Sequence, residues 1–526
     1  MSEQTDNRLI HAMQKPSCYD HPVTRVELIE THISWIFLAG DYAYKVKKPV
    51  NFGFLDFSTL EKRQHYCLEE LRLNRRFAPQ LYLDVVVIGG NPLSPRLHSR
   101  PALEYAVKMR RFEQSAQLDR LLDAGELSAK QINQFAVMLA EIHKNAPVAS
   151  KDAPFGSPAA IRAPIEENFK QIRPLLPATE HPQLKTLELW SLTELKRLRE
   201  LLMQRKAAGF IRECHGDIHL ANIAWFDAQP LLFDCIEFNE NLRWIDVISD
   251  SAFLLMDLDD RGEAKLGWCF LNRYLQESGD YQGLQLLRCY KVYRALVRAK
   301  VLCLRLAQAG LNSAEHAEDL ARYHGYLQLA ESYTTLPARA LIITQGLSGS
   351  GKSSVARLLA EELGAIHLQS DRERKRLYGL AANADSSSTV AGGIYSASAH
   401  EATYAQLQKL AETVLAAGYP VIVDATFLLQ AQRDCFRLLS ERLQVPLIIL
   451  AFSVPEAELR RRIQQRSAAG TDVSEANLQV LDLQLASQQP LNQVERQLTL
   501  NITPETNIAE IGRLLTERLF ENISNS

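Results

Sequence analysis

The stretch LIITQGLSGSGKSSVARLLAEELG, residues 341–364, constrains this chain more than any other. An apolar run of buried-strand type leads into a glycine-rich turn, and the turn opens a segment with helical spacing. Gly346, Gly351, Lys352 and Ser353 fit the pattern G-x-x-x-x-G-K-[ST] at every position. Glycines at such a turn let backbone N–H groups converge on a phosphate at a helix N-terminus. Gly346, Ser348, Gly349, Ser350, Gly351, Lys352, Ser353 and Ser354 are therefore expected to hold nucleotide phosphates, with Lys352 on the β/γ-phosphates and Ser353 on Mg²⁺. The sequence that follows alternates AIHLQSD, YPVIVDAT and PLIILAFSV with helical runs such as HEATYAQLQKLAETVLAAG. That alternation predicts an α/β domain with a parallel, doubly wound sheet.

Other residues of this region read as partners of the phosphate loop. Asp371 falls at the carboxyl edge of the sheet, after the second strand, and Arg374 is three residues on, within reach of an acceptor or its phosphate. Asp371 also suits a helix N-cap. Asp424 ends another strand, where it could hold the metal through water. Arg462 and Arg466 share a helical face and could close on the phosphates to stabilise transition-state charge, whereas Arg460 and Arg461 read as solvated. The D-x-x-R of Asp371 and Arg374 resembles small P-loop kinases such as polynucleotide kinase and the zeta-toxin group, with gluconate kinase nearby. SVPEAELRRRIQQR resembles their lid. The resemblance implies that Asp371 takes the proton from an acceptor hydroxyl.

A second phosphate-handling pattern lies far upstream, in CHGDIHLANIAW (214–225) and PLLFDCIEFN. Asp217 can accept a proton from an attacking hydroxyl. Asn222 and Asp234 offer hard oxygen ligands for Mg²⁺. The set matches the catalytic-loop Asp, the Asn five later and the metal Asp of protein kinases. Such a site also needs a lysine on an N-terminal strand and a glutamate beneath it. Lys45 in DYAYKVKK is the first candidate, and Lys47, on the same strand face, is its rival. Glu70 is the candidate partner, with Glu69 the alternative.

Residues ~25–325 thereby resemble the aminoglycoside phosphotransferase and choline kinase branch of the kinase-like fold. The branch's H-G-D-x-H-x-x-N stands here as His215, Gly216, Asp217, His219 and Asn222. The resemblance implies an α+β kinase-like domain, structural roles for both histidines, and a D-x-x-x-D helix start at Asp246 and Asp250. It assigns to Asp246 the task of bonding the catalytic-loop backbone. The metal Asp sits in FDCIE rather than D-F-G, and the glycine-rich phosphate loop is absent or reduced to LAGD.

Around these motifs the chain divides into a kinase-like domain at 1–330, a linker at 331–340 and a P-loop kinase or ATPase domain at 341–526. In the first domain, strands are expected in 34–50, 82–90 and 104–112, a helix between the first two, and helices from about 115 to 330. The whole resembles a bifunctional fusion, an aminoglycoside-phosphotransferase-like domain followed by a P-loop kinase. Each half is expected to bind ATP (or GTP) with Mg²⁺ and to phosphorylate a hydroxyl of a small molecule.

With 526 residues and a formal charge of −3, the chain is too long for one core and has no bulk charge for a nucleic-acid track. That counts against a nucleic-acid end kinase, which the D-x-x-R alone would allow. No apolar run approaches a membrane span, eight cysteines show no paired spacing, and the N-terminus lacks a signal-peptide pattern. A cytoplasmic enzyme is expected, its oligomeric state open. Lys291, Arg294 and Arg298 form one basic helical stripe, read first as a salt-bridged face. A rival of another class is a nucleotide-sensing pseudokinase that regulates the P-loop half.

Overall fold

The computed structural model describes residues 3–524 except 54, 178, 180, 308–311, 383, 385, 387–391 and 470–476, and omits the side chains of 3–7, 466–469, 516 and 519–524. By packing, it resolves into two compact units. The first comprises Met1–Met138, Ile142–Lys170 and Leu195–Asp257, and the second comprises Leu139–Glu141, Gln171–Glu194 and Leu258–Ser526. This division does not fall at residues 331–340. The residues after Asp257 fall in the same unit as the P-loop sheet, for a reason developed below.

The first unit is built on a six-stranded antiparallel sheet. Its strands are β1 (Val26–Glu30), β2 (Ser34–Ala39), β3 (Tyr42–Lys47), β4 (Tyr82–Asn91), β5 (Ser94–Leu97) and β6 (Ala102–Arg110). They lie in the order β1-β2-β3-β6-β4-β5. Gly40 and Asp41 turn β2 into β3, as expected, and Gly40 takes a positive φ of 57°. Helix α1 (Leu60–Asn74) starts where the Thr59 side chain accepts the Lys62 N–H. It buries Cys67 and Leu71 against Leu38, Ala43, Val107 and Met109 of the sheet. Glu70 lies on that same buried face, so the packing that seats the helix also drives a carboxylate into the core.

Later in the chain come α2 (Ala129–Asn145), β7 (Ile211–Glu213), the hairpin β8 (Ile223–Phe226) and β9 (Gln229–Leu232), and β10 (Trp244–Asp246). Asp227 and Ala228 turn the hairpin with positive φ at both positions, the requirement of a tight two-residue turn. Helix α3 (Val247–Asp260) follows. After it, in the second unit, come α4 (Ala264–Ser278), α5 (Leu284–Leu306) and α6 (Ser313–Ser332).

The second unit carries a five-stranded, wholly parallel sheet of β11 (Leu341–Gln345), β12 (Ile366–Gln369), β13 (Val421–Asp424), β14 (Leu447–Phe452) and β15 (Thr499–Ile502). The order is β12-β13-β11-β14-β15, with β12 and β15 at the edges. Its helices are α7 (Lys352–Leu363), α8 (Ser370–Leu377), α9 (Ala397–Ala416), α10 (Gln430–Leu443), α11 (Glu456–Ala469), α12 (Leu478–Ser487) and α13 (Ile508–Ser524). One core joins Ile342, Ile422, Ile448 and Leu450 to Leu359 and Ala360 of α7 and to Ile511 and Leu515 of α13. Four of the five strands are those expected, and β15 is an addition.

The basic stripe on α5 is satisfied internally: Lys291 pairs with Asp259, and Arg294 is buried. In the same unit, Arg433 of α10 is fully buried against Glu495, with Nε 2.7 Å from Oε1. It also donates to the carbonyls of Phe427, Leu428 and Pro490. Arg433→Met should therefore lower stability by about 3–5 kcal/mol, because it strands a buried carboxylate. The double variant Arg433→Met/Glu495→Leu should recover part of that loss in a urea titration of the full chain.

Candidate active sites

In the first unit, strand β3 sets two lysines on one face, and both reach Glu70. Lys45 Nζ is 2.9 Å from Glu70 Oε1, and Lys47 Nζ is 2.7 Å from Oε2. Their second partners separate them. Lys45 also pairs with Asp234, whereas Lys47 pairs with the buried Glu237. Lys45 thus faces the expected metal ligand, and Lys47 belongs to the interior. Glu69 points elsewhere, to Arg72. Burial would raise the Glu70 carboxyl, but Lys45 and Lys47 outweigh it and hold it well below the ordinary carboxylate range. Glu237 lies buried beside Glu70, and its carboxyl is raised. No spacing rule singled it out.

The hairpin β8–β9 brings Asn222 and Asp234 together. Phe233 N donates to Asn222 O at its open end, so the two residues flank the same pair of strand ends. Asp234 takes a φ of +64° and its carboxylate is partly exposed. Asn222 Nδ2 donates to the Asp217 carbonyl at 3.0 Å and to its carboxylate at 3.2 Å, which leaves Oδ1 as the amide's ligand atom. His215 is buried, donates from Nε2 to the Phe233 carbonyl 2.9 Å away, and has its imidazole pKa lowered chiefly by burial. His219 is half-buried against Phe253, and its Nε2 lies 3.5 Å from the Asp217 carboxylate.

One expected role moves. Asp250, not Asp246, holds the catalytic-loop backbone, accepting from His215 N at 2.9 Å and Gly216 N at 2.8 Å. Asp246 is instead bound by the buried Arg205 and accepts from Ile248 N. It precedes α3 and serves as its cap, whereas Asp250 lies one turn further along, under the loop. Asp257, two turns on again, accepts from Leu220 N at 2.9 Å. His143 of α2 approaches Asp250 at 3.3 Å, with Cys214 near both. The trio does not suit a metal, since burial and the neighbouring Asp250 keep the Cys214 thiol protonated, and both Asp250 oxygens already accept hydrogen bonds. LAGD turns β2 into β3 rather than forming a phosphate loop, and the β1–β2 turn, Thr31 to Ile33, contains no glycine.

In the second unit the phosphate loop joins β11 to α7. Gly349 and Gly351 have φ of +85° and +92°, and a Cβ on Gly349 would meet the Leu459 carbonyl at 3.1 Å. Only glycine tolerates both demands. Lys352 Nζ donates to Leu347 O at 2.7 Å, with Ser350 Oγ at 3.3 Å. Asp424, at the end of β13, is bonded by His367 and Ser353. Burial pushes its carboxyl up, but those bonds and the Lys352 charge hold it below the ordinary range. Asp424 and Ser353 thus supply adjacent oxygens of the kind Mg²⁺ takes.

Asp371 lies within the first turn of α8 rather than capping it, since Gln369 is the cap. Arg374 Nη1 donates to Asp371 Oδ1 at 2.7 Å, and its guanidinium lies 5.0 Å from the Tyr395 ring centre. The buried Arg374 Nε has no hydrogen-bond partner among the described residues. His400 and Tyr404, one turn apart on α9, sit in the field of this pair. The sequence reading missed both, because nothing in their spacing points to Asp371. Arg462 reaches the loop, its Nη1 3.8 Å from where a Gly351 Cβ would stand, and Glu458 holds its Nε at 2.7 Å. Arg460 and Arg461 make exposed ion pairs. The Arg466 side chain lies outside the described residues. Gln484 of α12, also unforeseen, accepts from Ser348 N at 2.9 Å and donates to Ser348 Oγ at 3.0 Å. Gly346 and Ser354 stand at the loop's entry and in the first turn of α7.

Fold and sites together define a kinase-like phosphotransferase domain followed by a P-loop kinase-type domain. The model of the Phosphotransferase enzyme family matches residues 62–287, and that of an AAA domain matches residues 341–491. An uncharacterized protein of Mycobacterium tuberculosis, and a counterpart in Mycobacterium bovis, are 32% identical over 462 residues, covering 87% of this chain and 90% of theirs. The chain belongs to one family with these mycobacterial proteins. Among solved structures, amicoumacin kinase hAmiN, in complex with AMP-PNP, Ca²⁺ and Ami, is 12% identical over 62% of this chain and 96% of its own, with a TM-score of 0.41. A gluconokinase from Sinorhizobium meliloti is 21% identical over 36% of this chain and 95% of its own, with a TM-score of 0.26.

The charge network gives a pH prediction. Glu70 is depressed in the folded chain, so the stability it contributes is present above the unfolded carboxylate value, about 4.3. That stability is lost as the pH falls below this value toward the folded one. Glu70→Gln should destabilise the chain at neutral pH and flatten the acid limb of its melting temperature, followed from pH 7 to pH 3.

Proposed function

We propose that the chain is a bifunctional ATP-dependent phosphotransferase, each domain transferring a γ-phosphoryl group to a hydroxyl of a small molecule. The observation that carries this reading is the convergence of Lys45, Glu70 and Asp234 in the same unit as the linked pair Asp217 and Asn222. In it a cation for phosphates, two oxygen ligands and a base each have a supporting partner. Asp217 accepts the proton of the attacking hydroxyl, and Asn222 Nδ2 keeps its carboxylate in place. Lys45, charged through Asp234 and Glu70 despite burial, moves from Asp234 to the nucleotide phosphates. Asn222 and Asp234 would hold Mg²⁺, which when bound neutralises phosphate charge and aligns the nucleotide.

In the second domain the backbone from Gly346 to Ser354 cradles the phosphates with Lys352. Ser353 and Asp424 would hold the metal, and Asp371 accepts the acceptor proton beside Arg374. Arg462, and by its helical spacing Arg466, screen the developing charge. ATP is the nucleotide proposed, with GTP the alternative.

A second reading has a specific observation in its favour. Lys45 lies directly on Asp234, and the β1–β2 turn has no glycine to cover phosphates. Both suit a nucleotide-binding pseudokinase that regulates the P-loop half.

The test is γ-labelled ATP with a desalted bacterial extract split into metabolite, nucleic-acid and protein fractions. Asp217→Asn and Asp371→Asn should each remove metabolite label, with rates falling by about a hundredfold or more. Loss with Asp371→Asn alone would instead make the first domain a regulator. Label in nucleic acid would replace the small-molecule acceptor with a polynucleotide end.

A further inference from the structure

Helix α4 lies inside the segment matched by the phosphotransferase model, which runs to residue 287, yet it packs in the same compact unit as the P-loop sheet. It does so along an edge. Among the described residues, strand β12 has a neighbour strand only on its β13 side, and an edge strand presents unpaired N–H and C=O groups. Two side chains of α4 meet them as a further strand would. Asn272 Nδ2 donates to the Ala365 carbonyl at 2.9 Å, and its Oδ1 accepts from His367 N at 2.7 Å. One turn on, Gln276 Nε2 donates to the His367 carbonyl at 3.3 Å. Both amides are buried. One turn earlier, Trp268 stands where a Cβ on Gly364 would meet its ring at 3.0 Å.

The strand held in this way leads into the active site. The His367 side chain places Nε2 3.3 Å from Asp424 Oδ2, and Asp424 is bonded in turn by Ser353. A short chain of contacts therefore runs from Asn272 and Gln276 through His367 to the two oxygens proposed to hold the metal.

A second chain runs to the acceptor side. Helix α8 carries Asp371 and Arg374, and its sequence SDRERKRL has almost no apolar face, yet Arg372, Glu373, Arg374 and Lys375 are buried. Apolar packing cannot fix such a helix, so its polar partners must. Glu277 of α4 takes Arg372 Nη1 at 3.0 Å, and the Gln276 carbonyl accepts from Arg376. Tyr281, just after α4, donates its hydroxyl to Glu373 Oε1 at 3.2 Å.

We propose that Asn272, Gln276, Glu277 and Tyr281 are positioning residues of the P-loop site. The first two set Asp424 through the His367 backbone, and the other two set Asp371 and Arg374 through α8. The P-loop kinase is then not a free-standing module in this chain: a helix of the phosphotransferase-matched segment completes its framework. The inference rests on reading the P-loop domain as a kinase.

The test uses the full chain. In a Lys45→Met background, so that the P-loop site is read alone, Asn272→Leu and Gln276→Met should raise backbone amide exchange at His367. They should also raise the Mg²⁺ concentration for half-maximal binding of a fluorescent ATP analogue by about tenfold, as loss of an outer support to a metal ligand does. Tyr281→Phe keeps the packing and guards against a variant that fails to fold. It should lower the kcat of Asp371-dependent turnover by about tenfold, leaving the KM for ATP unchanged. Faster exchange at His367 with an unchanged Mg²⁺ midpoint and an unchanged kcat would overturn the inference and leave α4 as packing alone. A wild-type chain without Asp371-dependent turnover would strike the kinase reading instead, and the Mg²⁺ midpoint would still decide the inference.

Discussion

The first unit depends on a buried charge cluster: two lysines from one strand, one carboxylate from the helix beneath it, and two from the segment after the β8–β9 hairpin. Lys45, Lys47, Glu70 and Glu237 are all buried. Each alone would cost several kcal/mol to desolvate, so none is stable without the others. That mutual need ties β3, α1 and residues 234–237 into one arrangement and sets the proposed metal ligand Asp234 against the sheet. It also divides labour. Lys47 and Glu237 close the interior side, so Glu70 would keep a lysine partner if Lys45 exchanged Asp234 for a nucleotide as proposed.

The second unit is built by the opposite means. Its proposed phosphate cradle is made of backbone N–H groups, and the constraint is conformational rather than electrostatic. Gly349 and Gly351 occupy left-handed φ beside the Leu459 carbonyl and the Arg462 guanidinium. Leu347 of the loop packs on Leu459, Ile463 and Leu481, and Gln484 of α12 braces the loop at Ser348. Asp424 links the loop to the edge strand β12, and through that strand to α4. One site is therefore stabilised from within by paired charges. The other is stabilised from outside by hydrogen bonds at a sheet edge.

What the sequence disclosed follows from that contrast. Residues that meet at fixed spacing were legible as neighbours: Asp217 with Asn222, Gly351 with Lys352 and Ser353, and Asp371 with Arg374. So were strands with a strong apolar run, including β11, β13 and β14. Strand β1, with VELIE, and β5, with a proline in SPRL, carry too little apolar signal to stand out. Asp246 and Asp250 are equivalent by spacing, and only the placement of α3 under the loop decides between them. The rival lysines were likewise separable only once Glu237 appeared, and Glu237 was invisible because its partner is far away in the chain. The same holds for Asn272, Gln276 and Tyr281, whose partners are backbone and side-chain groups about a hundred residues on.

The central claim is that one chain holds two separately built nucleotide sites. Calorimetric titration of the purified chain with a non-hydrolysable ATP analogue and Mg²⁺ tests it most directly. The account predicts two nucleotides bound per chain, one lost with Lys352→Ala and the other with Asp234→Ala. A single bound nucleotide that survives Asp234→Ala and vanishes with Lys352→Ala would contradict it, leaving the first unit a kinase fold without a nucleotide.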